Sequence, residues 1–358
     1  MEIHQVLVAA SYGDAITNEA LLLRRFLLEL GPSEIFTFYE SDRKLPGVRR
    51  LSEYERLRSA KSGDNVLLVH ASIGQPDVLS FLMSRRERLF LRYHNITPPE
   101  FFERFDPTFA EELRLGREEL RLLRPRVSLA LAVSSFNAAD LCALGYENAE
   151  VAPLVVDPLS LTRTPSEEPP GGLPPPGAGP VVLFVGRIAP NKAQHQLLQA
   201  FHVLKTYRRP DAHLFLVGSV RHPLYQLALN RFVGQLALTD VHFTGQVTDP
   251  QLAAIYRRAD VFLCLSAHEG FCVPLLEAMA FDVPVVAWDA TAVADTVGDA
   301  AFLLDSPRPA LAAEAAARVL ADEGLRTTLR ERGRARLAAV DPQRAAQGLM
   351  DRIRSALN

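Results

Sequence analysis

Two short apolar runs, Ala259–Leu265 and Pro284–Trp288, flank the helix-compatible segment Pro274–Phe281. Strand, loop, helix and strand in so few residues form a βαβ crossover, so the sheet they belong to is parallel. The connection carries Glu269 on its loop and Glu277 on its helix. Gly270 permits a sharp turn after the first acid, and Pro274 fits the first helical turn, where a missing amide is tolerated. This loop therefore sits at the carboxyl edge of the sheet, where open α/β sheets bind ligands. The amides of Phe271, Cys272 and Val273 open the helix and are suited to an anion. By themselves the two acids read more readily as an exposed loop acid and a helix-surface acid than as site residues.

The same alternation runs through the chain. Gln5–Ala10 is a first strand, followed by a helix over Glu19–Leu30 that Gly31 and Pro32 stop. Further strands are expected at Glu34–Tyr39, Asn65–His70, Arg88–Tyr93, Ser128–Val133 and Ala149–Val156, then at Val181–Arg187, Leu214–Gly218, Val241–Gly245 and Ala301–Leu304. Helices are expected at Leu224–Leu236, Pro250–Arg257, Pro309–Leu320, Leu325–Ala338 and Pro342–Leu357. Such alternation specifies an α/β fold with doubly wound parallel sheets. With 358 residues, 48% of them hydrophobic, there is material for two domains. Residues 165–180 contain 7 prolines and 4 glycines, a composition that packs into no element. The expected division is an N-terminal domain over 1–160, a linker over 161–180, a C-terminal domain over 181–340 and a last helix over 341–358.

A net charge of -3 argues against a nucleic-acid partner. Cys142, Cys264 and Cys272 lack C-x-x-C spacing and read as reduced thiols. Without a basic and apolar leader pattern or a spanning apolar run, a cytoplasmic chain is the expectation, with peripheral contact at the inner membrane face left open. The helix expected over Phe109–Arg126 has an arginine-rich side. Anionic lipid is one reading of it; a solvated face is favoured, because residues 1–160 hold 19 Lys+Arg against 23 Asp+Glu.

Two stretches carry a family resemblance. His268-Glu269-Gly270-Phe271, followed by Pro274 and Glu277-Ala278-Met279-Ala280, resembles the signature of retaining glycosyltransferases of the GT-B fold, group 1 class, which includes bacterial mannosyl- and glucosyltransferases. The apolar run ending in Gly186-Arg187, with Asn191-Lys192 after it, resembles that family's pyrophosphate clamp. The resemblance implies two Rossmann-like domains facing across a cleft, the last helix crossing back to the first domain. It also implies roles: Arg187 and Lys192 on the diphosphate, Glu269 against the sugar ring, Glu277 on the ribose hydroxyls, and His94 near the donor sugar. A loop histidine capping backbone carbonyls is the alternative for His94. Gly218 and Gly245 end strands, where bare backbone can approach a base or ribose, Gly186 and Gly270 are further donor-binding positions, and Gly245–Thr248, with Val247, resembles the base-binding loop. The first βα loop of the family is glycine-rich and lies against donor and acceptor; here it holds only Gly13. Asp14 is read either as a partner of a sugar hydroxyl or as a cap for loop amides.

The chain has no Asp-x-Asp pair, so no metal and no cofactor are expected beyond the donor itself, a GDP- or UDP-hexose. Absence of G-x-G-x-x-G and of G-x-x-x-x-G-K-[ST] removes support for dinucleotide oxidoreduction and P-loop hydrolysis. The expected function is metal-independent transfer of mannose or glucose, with retention, to a glycan or lipid-linked acceptor in cell-surface polysaccharide synthesis. A catalytically silent subunit that binds nucleotide sugar or scaffolds a partner is the alternative, as is a sugar-nucleotide epimerase or hydrolase. Base, sugar, acceptor and oligomeric state leave no readable side-chain trace.

Overall fold

Every strand pairing in the computed structural model is parallel, and the strands sort into two sheets. The structure describes residues 1–39, 45–58 and 65–357. One unit comprises Met1–Glu103, Pro107–Val156 and Asp341–Asn358; the other comprises Arg104–Asp106 and Asp157–Val340.

In the first unit the strands are β1 (Ile3–Leu7), β2 (Ile35–Thr37), β3 (Val48–Arg50), β4 (Val66–Ala71), β5 (Arg88–Tyr93), β6 (Val127–Ala132) and β7 (Ala149–Val151). Their spatial order is β3-β2-β1-β4-β5-β6-β7, so the winding reverses between β1 and β4. The helices are α1 (Ala15–Leu27), α2 (Tyr54–Leu57), α3 (Pro76–Met83), α4 (Pro107–Leu123) and α5 (Ser135–Ala143). Central strands are largely apolar because both faces are covered: Val66, Leu67, Leu68, Leu89, Phe90 and Leu91 have no exposure, and the polar residues among them, Gln5, His70 and Arg92, are buried too.

The last helix, α13 (Pro342–Leu357), belongs to this unit's core. Ala346, Leu349, Met350 and Ile353 recur at helical spacing and are buried in one cluster with Ile3, Leu23, Leu27, Phe90 and Leu131. Each large apolar side chain so buried contributes about 1.5–3 kcal/mol. Arg88 donates to the carbonyls of Ala356 (3.3 Å) and Leu357 (3.1 Å), closing the helix end.

The second unit orders its strands β10 (Val241–Gly245), β9 (His213–Val217), β8 (Val181–Val185), β11 (Val261–Cys264), β12 (Val285–Trp288) and β13 (Phe302–Leu304). The reversal here falls between β8 and β11. Helices α6 (Gln194–Tyr207), α7 (Pro223–Gln235), α8 (Asp249–Arg258), α9 (Val273–Ala280), α10 (Val293–Val297), α11 (Pro309–Ala321) and α12 (Glu323–Ala339) fill the crossovers.

Residues 165–180 form neither helix nor strand, as their composition requires, yet they are tied down. Arg257 donates to Ser166 Oγ (2.7 Å) and to the carbonyls of Thr162 (2.9 Å) and Thr164 (2.8 Å); Arg258 holds the carbonyls of Pro174 (3.0 Å) and Gly179 (2.8 Å). Both arginines close α8. On α4, Arg114 pairs with Glu103 and Glu111, Arg117 with Asp140 and Arg121 with Glu118, so this side is an ion-paired surface. Among the described residues no helix is long and apolar enough to cross a membrane.

Candidate functional site

A topological reversal leaves a crevice at the carboxyl ends of the two strands that flank it. In the second unit those strands are β8 and β11, and the loops that follow them, Gly186–Lys192 and Leu265–Cys272, hold most of the residues singled out from the sequence. Two hydrogen bonds join the loops: Ala267 N–H donates to Asn191 O (2.8 Å), and Asn191 Nδ2 donates to His268 O (3.2 Å). Through Asn191 the neighbouring Lys192 is brought to Glu269, and Nζ donates to Oε2 at 2.6 Å. The Glu269 side chain is 6% exposed and that of Lys192 22%. Burial works most strongly against the lysine's charge, but the Glu269 carboxylate and the neighbouring Cys272 and Cys264 together outweigh it, and the pKa of Lys192 lies above its ordinary value.

Threonines fix the loop that carries the acid. Thr291 Oγ1 accepts from Glu269 N–H (2.9 Å) and donates to Glu269 O (2.9 Å), and Thr296 Oγ1 donates to Phe271 O. Cys272 then takes a left-handed conformation (φ 72°) and starts α9, so the amides of Phe271, Cys272 and Val273 precede the first intrahelical donor. One turn into α9, Glu277 accepts from Tyr256 Oη at 2.8 Å. Desolvation raises the Glu277 pKa to about 7; the tyrosine bond opposes the shift and the charge of Asp249 adds to it.

Gly186 and Gly218 lie side by side. Gly218 has φ 150°, and a Cβ there would stand 2.2 Å from Gly186 O, so only glycine fits. Gly218 N–H donates to Gly245 O (3.0 Å), drawing the ends of β9 and β10 together just ahead of Val247. Arg187 follows β8 with its side chain exposed, while its carbonyl accepts from Gln194 Nε2 at 2.9 Å. Arg187, Lys192, Glu269, Gly270 and the α9 start thus share one edge: two cations, one carboxylate and a set of amides. Cys264 and Cys272 also meet here. A hydrogen bond from Cys272 holds the Cys264 thiol below its ordinary pKa against the opposing effect of burial.

The first unit has its own reversal edge, with Gly13 and Asp14 in the loop after β1 and His94 after β5. Gly13 takes φ 77° with open space around it. Asp14 caps α1, accepting from Thr17 N–H (3.1 Å) and Thr17 Oγ1 (3.2 Å), so the helix-start role is realised. His94 caps no backbone carbonyl with its ring, contrary to the alternative reading from the sequence. Its Nε2 lies 2.8 Å from His70 Nδ1 and 3.5 Å from Glu19 Oε2. Glu19 and Arg92, both unexposed, are paired at 2.5 Å, and Arg92 also donates to the carbonyls of Ala152 and Pro153. Burial keeps both histidines neutral, with pKa values well below the ordinary.

The network assigns their tautomers. Gln5 Nε2 donates to Ala20 O (2.9 Å), which leaves Gln5 Oε1 to accept from His70 Nε2–H (2.9 Å). His70 Nδ1 is then bare and accepts from His94 Nε2–H, so His94 carries its lone pair on Nδ1.

The sequence marks Asn191 only as the neighbour of Lys192 and His70 only as a strand-end histidine, and it gives Thr291, Thr296, Tyr256 and Gln5 no place in the site. These act across 21 to 65 residues, a separation with no local signature.

Residues 167–336 match the family model described as glycosyl transferases group 1. The chain is 38% identical over 122 residues to a GDP-mannose-dependent alpha-mannosyltransferase of Mycolicibacterium smegmatis, covering 34% of this chain and 29% of that one. It spans less than two thirds of the length of the curated relatives it matches first. Among solved structures it resembles sucrose-phosphate synthase from Thermosynechococcus elongatus (TM-score 0.76, 20% identity, 99% and 98% of the two chains). It also resembles Anabaena Alr3699/HepE in complex with UDP and glucose (TM-score 0.75, 18% identity, 99% and 100%). The two parallel-sheet units form a GT-B fold.

Proposed function

We propose, from the premise that residues 167–336 belong to the glycosyl transferases group 1 family, that this chain transfers a sugar from a nucleoside-diphosphate sugar. The finer reading is a hexose, mannose or glucose, moved from a GDP- or UDP-sugar with retention of configuration and without a metal ion. A glycan or lipid-linked acceptor in cell-surface polysaccharide synthesis completes the proposal. The observation that carries it is the Lys192–Glu269 pair beside exposed Arg187 and the α9 N-terminus.

A departing diphosphate gathers negative charge, and preorganised cations stabilise it best when fixed before the reaction begins. Arg187 offers a planar fork for phosphate oxygens. Lys192, hydrogen-bonded to Glu269, supplies a second charge after a small rotation, and the α9 amides supply neutral donors. Glu269 faces the developing positive sugar as a carboxylate, and a diphosphate oxygen takes the acceptor's proton, so no separate base is required. Glu277 accepts from the ribose hydroxyls.

Proton NMR of sugar released or transferred from UDP-glucose and GDP-mannose, in EDTA, tests retention and metal independence together. The α-anomer forming first is expected. A β-anomer as the first product, or turnover only after a divalent ion is restored, contradicts the finer reading.

A further inference from the structure

Cys264 closes β11, Glu269 sits in the loop that follows, and Cys272 opens α9; the fold returns all three to one point. Their ligand atoms, two thiols and a carboxylate oxygen, lie within 4.8 Å of one another. Cys264 is 1% and Glu269 6% exposed. We propose that Cys264, Cys272 and Glu269 form a site for a thiophilic divalent cation of zinc's class, which antagonises donor binding rather than serving the reaction. The antagonism, though not the site, rests on the reading of Lys192 given above.

The donor set has the required chemistry. Zinc takes thiolates at about 2.3 Å and carboxylate oxygen at about 2.0–2.2 Å, with three protein ligands and a water in an open site. Tetrahedral donors then stand about 3.5 Å apart, so closing the present spacing asks for movements of about 1 Å. Cys272, half-buried, leaves the fourth position for water. Binding releases two thiol protons, and the ion with two thiolates and one carboxylate carries a net charge of minus one. Lys192, 2.6 Å from Glu269 Oε2, neutralises it and holds that oxygen while Oε1 coordinates. A lysine retained there cannot reach a diphosphate, which is the source of the antagonism. By linkage, nucleotide must weaken the ion by the same factor.

The other compact group among the described residues, Glu19, His70 and His94, does not offer this. Arg92 occupies both oxygens of Glu19, and one ring nitrogen of each histidine is spent on the other.

The test is titration of reduced, chelator-stripped full-length protein with Co²⁺ followed by absorbance, and with Zn²⁺ followed by calorimetry. One equivalent is expected, with a thiolate-to-cobalt charge-transfer band that Cys264→Ser and Cys272→Ser abolish and Cys142→Ser leaves intact. Glu269→Gln removes a ligand charge and should weaken the ion by at least the roughly 10- to 100-fold that loss of an outer partner costs. Because Cys264 is buried and its variant could unfold, wild-type protein is also alkylated with and without Zn²⁺ and the sites are read by mass spectrometry. Protection of Cys264 and Cys272 but not Cys142 supports the site. No band, or equal alkylation of all three cysteines with Zn²⁺ present, overturns it. Added UDP or GDP should displace the ion; failure of this step alone, with the band intact, leaves the ion site standing and counts against the role given to Lys192.

Discussion

Glu269 and Glu277 share a connection but not an environment. Glu269 is held on a cation and its backbone is clamped by Thr291, so it is a preorganised carboxylate. Glu269→Gln keeps that backbone clamp and removes the charge that faces the sugar; turnover is expected to fall about 10²- to 10³-fold with nucleotide affinity nearly unchanged. Calorimetry beside steady-state kinetics reads both, and lost binding with normal turnover would count against the role. Glu277 is a carboxyl held near neutrality. Its folded pKa of about 7 exceeds its ordinary value of 4.5, so the folded state binds the extra proton between those values. This group's contribution to stability is therefore complete below pH 4.5 and is lost as pH rises through 7. A ribose hydroxyl needs the ionised form, so nucleotide binding should strengthen as pH rises from 5 to 8 and should release a proton near neutrality. Calorimetry in buffers of different ionisation heat measures that release, and Glu277→Gln should flatten the profile.

At the scale of elements, strands buried on both faces are legible because burial writes a largely apolar run, and Arg88–Tyr93 matches residue for residue; the half-buried edge strand Val241–Gly245 matches as well, bounded by Gly245 rather than marked by an apolar run. Strand β3 is not legible, since three residues at a sheet edge, two of them exposed arginines, carry no periodicity. Lys192 and Glu269 could be picked out one by one from their local patterns. Their contact could not, because it spans 77 residues and depends on Asn191 bridging two loops. The Pro/Gly-rich segment shows the same limit: composition rules out helix and strand, but its attachment comes from distant partners, two arginines at the end of α8 together with Pro250, Gln251 and His213. Arg258→Ala removes two bonds to carbonyls, and charged hydrogen bonds contribute about 1.5–3 kcal/mol each. Cleavage within 165–180 by a non-specific protease should rise at least about tenfold. Unchanged cleavage would show that the segment is held by other means.

The chain as a whole leaves the first unit at Val156 and re-enters it at Asp341, so this unit's core is completed by residues almost the length of the chain away. Contacts so distant in sequence are slow to form, and α13 should dock late. Ile353→Ala should destabilise the first unit by about 2–4 kcal/mol, or about 5–15 °C in its calorimetric transition. A change below about 0.5 kcal/mol would mean that α13 is dispensable. Nucleotide recognition, by contrast, is assigned to the second unit alone. It is tested most directly by calorimetry of the purified chain against UDP, GDP, ADP and their hexose derivatives, with EDTA present. Saturable binding of one nucleotide is expected, retained in EDTA and weakened at least about tenfold by Arg187→Ala, the loss of one charge-assisted phosphate contact. Absence of binding to every member of the panel, or equal binding by Arg187→Ala, would contradict it.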